Sequence, residues 1–182
     1  YCIMRYLLSY TNDKILIIVP TTNLVNQMRS DFDEYSFDND FDCDTMIHTI
    51  FSGKAKTTNK RIVISTWQSL YNMPESYFND IGSVFGDECH TFKAKSLTSL
   101  MIKLKKAHYR FGTTGTLDNT QTHKLVIEGL FGPTVKVTTT KDLMKKDILS
   151  NLKIKCLVLK YPKECCSDLK RIKYPEEIDW LI

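Results

Sequence analysis

No apolar run in this 182-residue sequence reaches the roughly 20 residues that a helical membrane span needs. The opening stretch, residues 1–10, lacks the basic start of a signal peptide, and it begins without Met, as expected of a piece cut from something longer. Six cysteines are present, at 2, 43, 89, 156, 165 and 166, but none forms a C-x-x-C pair and no His follows at a finger-like spacing. That argues against structural zinc. The adjacent pair Cys165-Cys166 makes a poor structural disulfide, so all six read as reduced thiols of an intracellular protein. The net charge is only +4, which does not announce a nucleic-acid partner but is compatible with one. There is no internal repeat and no low-complexity tract. A calcium loop is missing too. Asp38, Asp40 and Asp42 alternate as such a loop requires, but its sixth and twelfth places, which need Gly and Glu, hold Cys43 and Thr49. The acidic stretch 31–44 is therefore read as a solvated loop.

What is present is an ordinary globular composition. Hydrophobic residues make up 42% of the chain, enough to build a core without disulfide or metal staples. Residues 15–19 form a continuous apolar run, four of the five β-branched, as in a parallel strand buried on both faces, and Pro20 ends it. Leu24, Val25, Met28, Phe32 and Tyr35 then fall on one face of a helix over 22–35. Strands are expected at 46–51, 61–65, 83–86 and 109–113, with a basic turn over 52–60. Leu97, Leu100, Met101 and Leu104 repeat at helical spacing. A further helix over 125–131 is stopped by Gly132-Pro133. Residues 1–9 read as a helix covering one sheet face. Strands alternating with helices predict a right-handed α/β sheet whose working edge lies at the carboxyl ends of the strands. Past residue 140 the chain turns lysine-rich, and a strand over 154–159 opens a second domain or extends a linker.

The sharpest chemical signal is Asp87-Glu88-Cys89-His90, at the end of the strand over 83–86. Two adjacent carboxylates at the end of a buried strand are costly unless their charge is used. A strand-end Asp can hold a Mg²⁺ ion that bridges nucleotide phosphates, and a neighbouring Glu can orient and deprotonate a water. The plain alternative is an exposed turn that happens to be acidic. Pro20, Thr21 and Thr22 lie where a strand hands over to a helix. Unpaired N–H groups and the helix dipole there suit a nucleic-acid phosphate without base readout. Helix capping by Thr21 or Thr22 is the simpler role, and the two are compatible. Thr66 offers another hydroxyl one strand along. Trp67 could stack on a base but reads better as core. Lys103, Lys105 and Lys106 read as the wet face of their helix.

Four segments in order match one family. Asp87-Glu88-Cys89-His90 resembles the Walker B box of the superfamily 2 helicases, the DEAD/DEAH-type motors. Val19 to Gln27 resembles their motif Ia, Ser65 to Leu70 the threonine motif that follows the next strand, and Gly112 to Leu117 their motif III. Further segments, including Phe131-Gly132-Pro133, are similar to a phage helicase branch whose lineage also relates to the repair helicases of the XPB type. The resemblance spans almost the whole chain and implies a RecA-like parallel sheet flanked by helices. Residues 1–140 would form the first RecA-like domain, incomplete at its amino end. Residues 141–182 would form a linker and the beginning of a second. It further implies an ATP- and Mg²⁺-dependent enzyme that remodels branched or duplex DNA in recombination, repair and replication-fork rescue, in the cytoplasm of a phage-infected host. Asp87 would hold the Mg²⁺, Glu88 would be the catalytic base, and His90 would link the nucleotide site to Thr114, Gly115 and Thr116. Cys89 is assigned packing only. A complete motor also needs a Gly-Lys-Ser/Thr phosphate loop, and no such tripeptide occurs: Gly53-Lys54 is followed by Ala55. The chain is accordingly expected to begin within the helix after that loop and to lack the arginine fingers of the second domain. Two other readings stay open. One is a nucleic-acid-binding module without ATPase activity, and the other is the translocase subunit of a restriction enzyme.

Overall fold

The computed structural model describes residues 1–115, 121–150 and 155–156. Its elements run α1 (Cys2–Tyr10), β1 (Lys14–Val19), α2 (Thr22–Ser36), α3 (Cys43–Met46), β2 (Ile47–Ile50), β3 (Ile62–Thr66), α4 (Trp67–Leu70), a 3₁₀ turn (Glu75–Phe78), β4 (Ile81–Gly86), a second 3₁₀ turn (Cys89–Lys93), α5 (Lys95–Lys103), β5 (Tyr109–Gly112), α6 (Gln121–Phe131) and α7 (Thr140–Lys145). The strands form one sheet in the order β2-β3-β1-β4-β5, and every neighbouring pair is parallel. This is the α/β sheet flanked by helices that the alternating pattern predicts.

The β-branched run of β1 occupies the centre of the sheet, where both faces must be covered. Its side chains alternate between two cores. Leu16 and Ile18 join Val63, Val84, Leu97, Leu100 and Met101 on one face. Ile15, Ile17 and Val19 join Ile62, Ile64, Val25 and Phe32 on the other, where α1 adds Met4 and Leu7. Each fully buried aliphatic side chain contributes about 1.5–3 kcal/mol relative to exposure, so these two layers set the strand register.

The acidic stretch departs from the expected loop. Asp31 and Asp33 belong to α2, and Asp42 caps α3, its Oδ1 accepting from the N–H groups of Asp44 at 2.9 Å and Thr45 at 3.2 Å. Arg29 pairs with both Asp33 and Asp44, and its hydrogen bond to Asp33 holds that carboxyl below its ordinary range. Only residues 37–42 remain outside regular elements, because local capping and pairing outcompete hydration there. Past residue 139, α7 is capped by Thr139, whose Oγ1 accepts from the Asp142 N–H at 3.1 Å. Of the strand expected over 154–159, only Lys155 and Cys156 are described, and they are in no regular element; the others lie outside the described residues. The chain divides into two compact units, Tyr1–Val135 and Lys136–Ile182.

The register aligns the carboxyl ends of four strands. Val19 is level with Thr66, Ile18 with Gly86, and Gly86 with Gly112. Parallel neighbours in register deliver the segments that follow them to a single edge. Those segments are Pro20 to Thr22, Trp67, Asp87 to His90, and Thr113 to Gly115.

Candidate functional site

β4 runs out into Asp87, whose backbone N–H still donates to Ile18 O at 3.0 Å. The turn after β4 is stitched to the turn after β5 on both sides. Thr113 N–H donates to Gly86 O at 2.9 Å, and Cys89 N–H donates to Thr113 O at 2.8 Å. The Asp87 carboxylate is fixed through one oxygen. Its Oδ1 accepts from Glu88 N–H at 2.9 Å and from the Thr113 hydroxyl at 3.1 Å. Among the described residues its other oxygen makes no hydrogen bond.

Glu88 sits in the left-handed region, at φ 49° and ψ 48°. A long side chain held there stores about 1–3 kcal/mol of strain. Three contacts hold it: its N–H on the Asp87 carboxylate, and its carbonyl accepting from Thr91 N–H at 3.0 Å and the Thr91 hydroxyl at 2.9 Å. The turn points the Glu88 carboxylate back at His90, with Oε2 3.1 Å from Nδ1. The same Nδ1 lies 2.8 Å from the Thr114 hydroxyl oxygen. One ring nitrogen therefore touches an acid of the first turn and a hydroxyl of the second. Glu88 and His90 are both partly open to solvent, at 44% and 34% side-chain exposure.

Cys89 points the other way. It is 4% exposed, and burial, reinforced by the carboxylates of Glu88 and Asp87, pushes its thiol above the ordinary range. It stays protonated and packs, as its position in the motif implies.

One strand along, Thr21 caps α2, its Oγ1 accepting from Leu24 N–H at 3.3 Å. Thr21 and Thr22 are exposed, so the cap leaves both at the surface. Thr66 differs in that it is only 6% exposed and its hydroxyl is 2.9 Å from Ser69 Oγ. Trp67 packs against the core and meets Tyr71 edge to face, with ring centroids 6.3 Å apart. Of the lysines on and after α5, Lys103 donates to the carbonyls of Tyr71 and Met73, and Lys105 pairs with Glu75 at 2.7 Å. Thr116 lies outside the described residues.

The edge thus gathers Asp87, Glu88, His90 and Thr114, with Pro20, Thr21, Thr22 and Thr66 on the neighbouring strands. Reading the sequence missed Thr113, whose hydroxyl and backbone tie the two turns together. A threonine next to Thr114 carried no separate signal. Whether Mg²⁺ suits this site is decided by donor chemistry. Mg²⁺ takes hard oxygen ligands and commonly only one or two protein carboxylates, the rest coming from water and phosphate. A strand-end carboxylate anchored through one oxygen, with the other unengaged, fits that demand.

The family model described as "Type III restriction enzyme, res subunit" matches residues 1–119. The chain is 35% identical over 178 residues to the ATP-dependent DNA helicase uvsW of Enterobacteria phage T4, covering 96% of this chain and 35% of that protein. A crystal structure of T4 UvsW superposes with a TM-score of 0.60 at 33% identity, over 97% of this chain and 34% of that one. The DNA 3'-5' translocase XPB2 of Sulfurisphaera tokodaii is 28% identical over 149 residues, 82% of this chain and 31% of that protein. The Hef helicase domain of Pyrococcus furiosus shares the fold, with a TM-score of 0.68 at 14% identity over 93% of this chain and 38% of that one. The chain therefore spans about a third of the length of the curated relatives it matches.

Proposed function

Because this chain belongs to the family of the type III restriction enzyme res subunit, and so to the superfamily 2 helicase type, we propose that it is the Mg²⁺-handling part of the first motor domain of an ATP-dependent DNA helicase or translocase. On this reading the whole protein couples ATP hydrolysis to the remodelling of branched or duplex DNA in recombination, repair or replication-fork rescue. Its place would be the cytoplasm, in a phage-infected host. Residues 1–140 form the first RecA-like domain, and residues 141–182 form a linker and the beginning of a second. The observation that carries the reading is the double contact of His90 Nδ1, with Glu88 Oε2 at 3.1 Å and Thr114 Oγ1 at 2.8 Å, beside an anchored Asp87.

The residues divide the work. Asp87 would hold Mg²⁺, which when bound neutralises charge on the nucleotide phosphates. Glu88 accepts the proton of the attacking water, its carboxylate held close to His90. His90 relays the state of that carboxylate to Thr114 and so to the turn after β5. Gly115 and Thr116 continue that coupling segment. Pro20, Thr21 and Thr22 offer a helix start to a DNA phosphate, with Thr66 supporting the neighbouring turn. The purified protein carrying this chain should hydrolyse Mg-ATP and speed up when DNA is added. DNA binding with no nucleotide turnover would establish the binding-module alternative instead. The family description also favours a restriction translocase, and cleavage of duplex DNA alongside ATP turnover would select that reading.

Thr21→Ala, alone and with Thr66→Ala, should weaken DNA binding by about threefold to tenfold, the worth of one lost hydrogen bond of roughly 0.5–1.5 kcal/mol. The loss should be equal for unrelated sequences, since a backbone contact is removed, and should leave the salt dependence near wild type, because a neutral hydroxyl releases no counterion. Most of it should come from Thr21, because the Thr66 hydroxyl is buried against Ser69. Titration of two unrelated duplexes at several salt concentrations checks this, and a sequence-selective loss would contradict the phosphate-docking role.

A further inference from the structure

Two of the strands that carry the site end in glycine, and both glycines are pressed against the same ring. A Cβ on Gly86, the last residue of β4, would come within 2.9 Å of Phe131 Cζ and 2.9 Å of Phe92 Cζ. A Cβ on Gly112, the last residue of β5, would come within 3.1 Å of Phe131 Cγ and 2.9 Å of Cys89 Cβ. Real Cβ atoms essentially never approach closer than 3.0 Å. The strand ends thus lie directly on the Phe131 ring, with no side chain between. Phe131 closes α6 and is itself fixed by Phe92, edge to face at a centroid distance of 5.1 Å. Phe92 is 1% exposed and lies in the 3₁₀ turn that begins at Cys89. The residues that follow the two glycines are Asp87 and Thr113, joined by the Thr113 hydroxyl on Asp87 Oδ1 at 3.1 Å.

We infer that Phe131 is a positioning residue for the nucleotide site, seating the ends of β4 and β5 so that Asp87 and Thr113 meet. The inference rests on the ATPase reading above. Glycine backbone carries no side chain of its own to lock it into the core, so the ring supplies the missing surface. Without the ring, Gly86 and Gly112 border a void into which both strand ends can relax. A shift of a few tenths of an ångström there moves the Asp87 carboxylate and the Glu88 turn together. Misplacement of about 1 Å at a reacting group costs on the order of 10²-fold, so a partial shift should cost about threefold to tenfold.

The test compares Phe131→Leu with Phe78→Leu in the full protein. Phe78 is 1% exposed and lies in the same core cluster, but in the turn that precedes β4. Both variants should lower Tm. Phe131→Leu should also reduce kcat for ATP by about threefold to tenfold, with KM within about twofold, because it disturbs placement and not capture. Phe78→Leu should leave kcat within about twofold of wild type. Equal kcat in the two variants, or a kcat loss at Phe131 no larger than at Phe78, overturns the inference while leaving the ATPase reading intact. A wild-type protein that does not hydrolyse ATP overturns the reading and the inference with it.

Discussion

Glu88→Gln should remove nearly all ATP turnover while leaving Mg-nucleotide binding in place. The substitution keeps size and shape, and Gln is no worse than Glu at φ 49°, so the turn survives. The Glu88 backbone N–H still donates to Asp87 Oδ1, so the anchored carboxylate proposed to hold Mg²⁺ is unchanged. What disappears is the group that accepts a proton. Loss of a positioned general base costs about 10²–10⁴-fold. Binding of a fluorescent Mg-nucleotide should stay within about threefold of wild type. Hydrolysis within about threefold of wild type would sink the assignment of Glu88 as the base, since the expected loss is at least tenfold larger. Asp87→Asn distinguishes the two acids, because it should weaken nucleotide binding in a Mg²⁺-dependent way, which Glu88→Gln should not.

His90→Ala should uncouple the motor. Basal ATP hydrolysis should fall by no more than about threefold, because the imidazole touches the base and performs no proton transfer of its own. DNA unwinding or translocation should fall by about tenfold, the upper end of the roughly 0.5–1.5 kcal/mol that a lost hydrogen bond is worth. The contact removed is the one that joins the turn after β4 to the turn after β5, Nδ1 to Thr114 Oγ1 at 2.8 Å. Thr114→Ala should shift both activities in the same direction by a similar ratio. Strand-displacement and ATPase rates measured on the same preparation decide it. A strictly proportional loss of the two would mean that His90 only supports the fold.

The sequence by itself determined the strands that the hydrophobic effect dictates, and which residue types stand at their ends. A run such as residues 15–19 has one way to bury five consecutive apolar side chains in a parallel sheet, and it lies at the centre of this one with alternate residues in the two cores. The two-acid turn was legible because adjacent carboxylates after a buried strand carry their own cost. The cap at Thr21 was legible because capping is local in sequence. The acidic stretch is less open than its composition implies. Its charges pair across turns, Arg29 with Asp33 and Asp44, and a charge count does not reveal such pairings.

What only the tertiary structure decided is how the separate motifs become one site. Strand order puts β1 between β3 and β4, and the register brings Val19, Thr66, Gly86 and Gly112 to one edge. No local pattern specifies that alignment, because it depends on how both faces of the sheet are covered at once. The same holds for residues that act through contact alone. Thr113 bonds to Asp87 across 26 positions of chain, and Phe131 fills the space beneath two glycines. Both residues lie in segments that resemble the family, but nothing in those segments says what either side chain touches. Their roles exist only once β4, β5 and α6 are packed, because a close-packed interior makes each strand end rest on whatever atom lies beneath it.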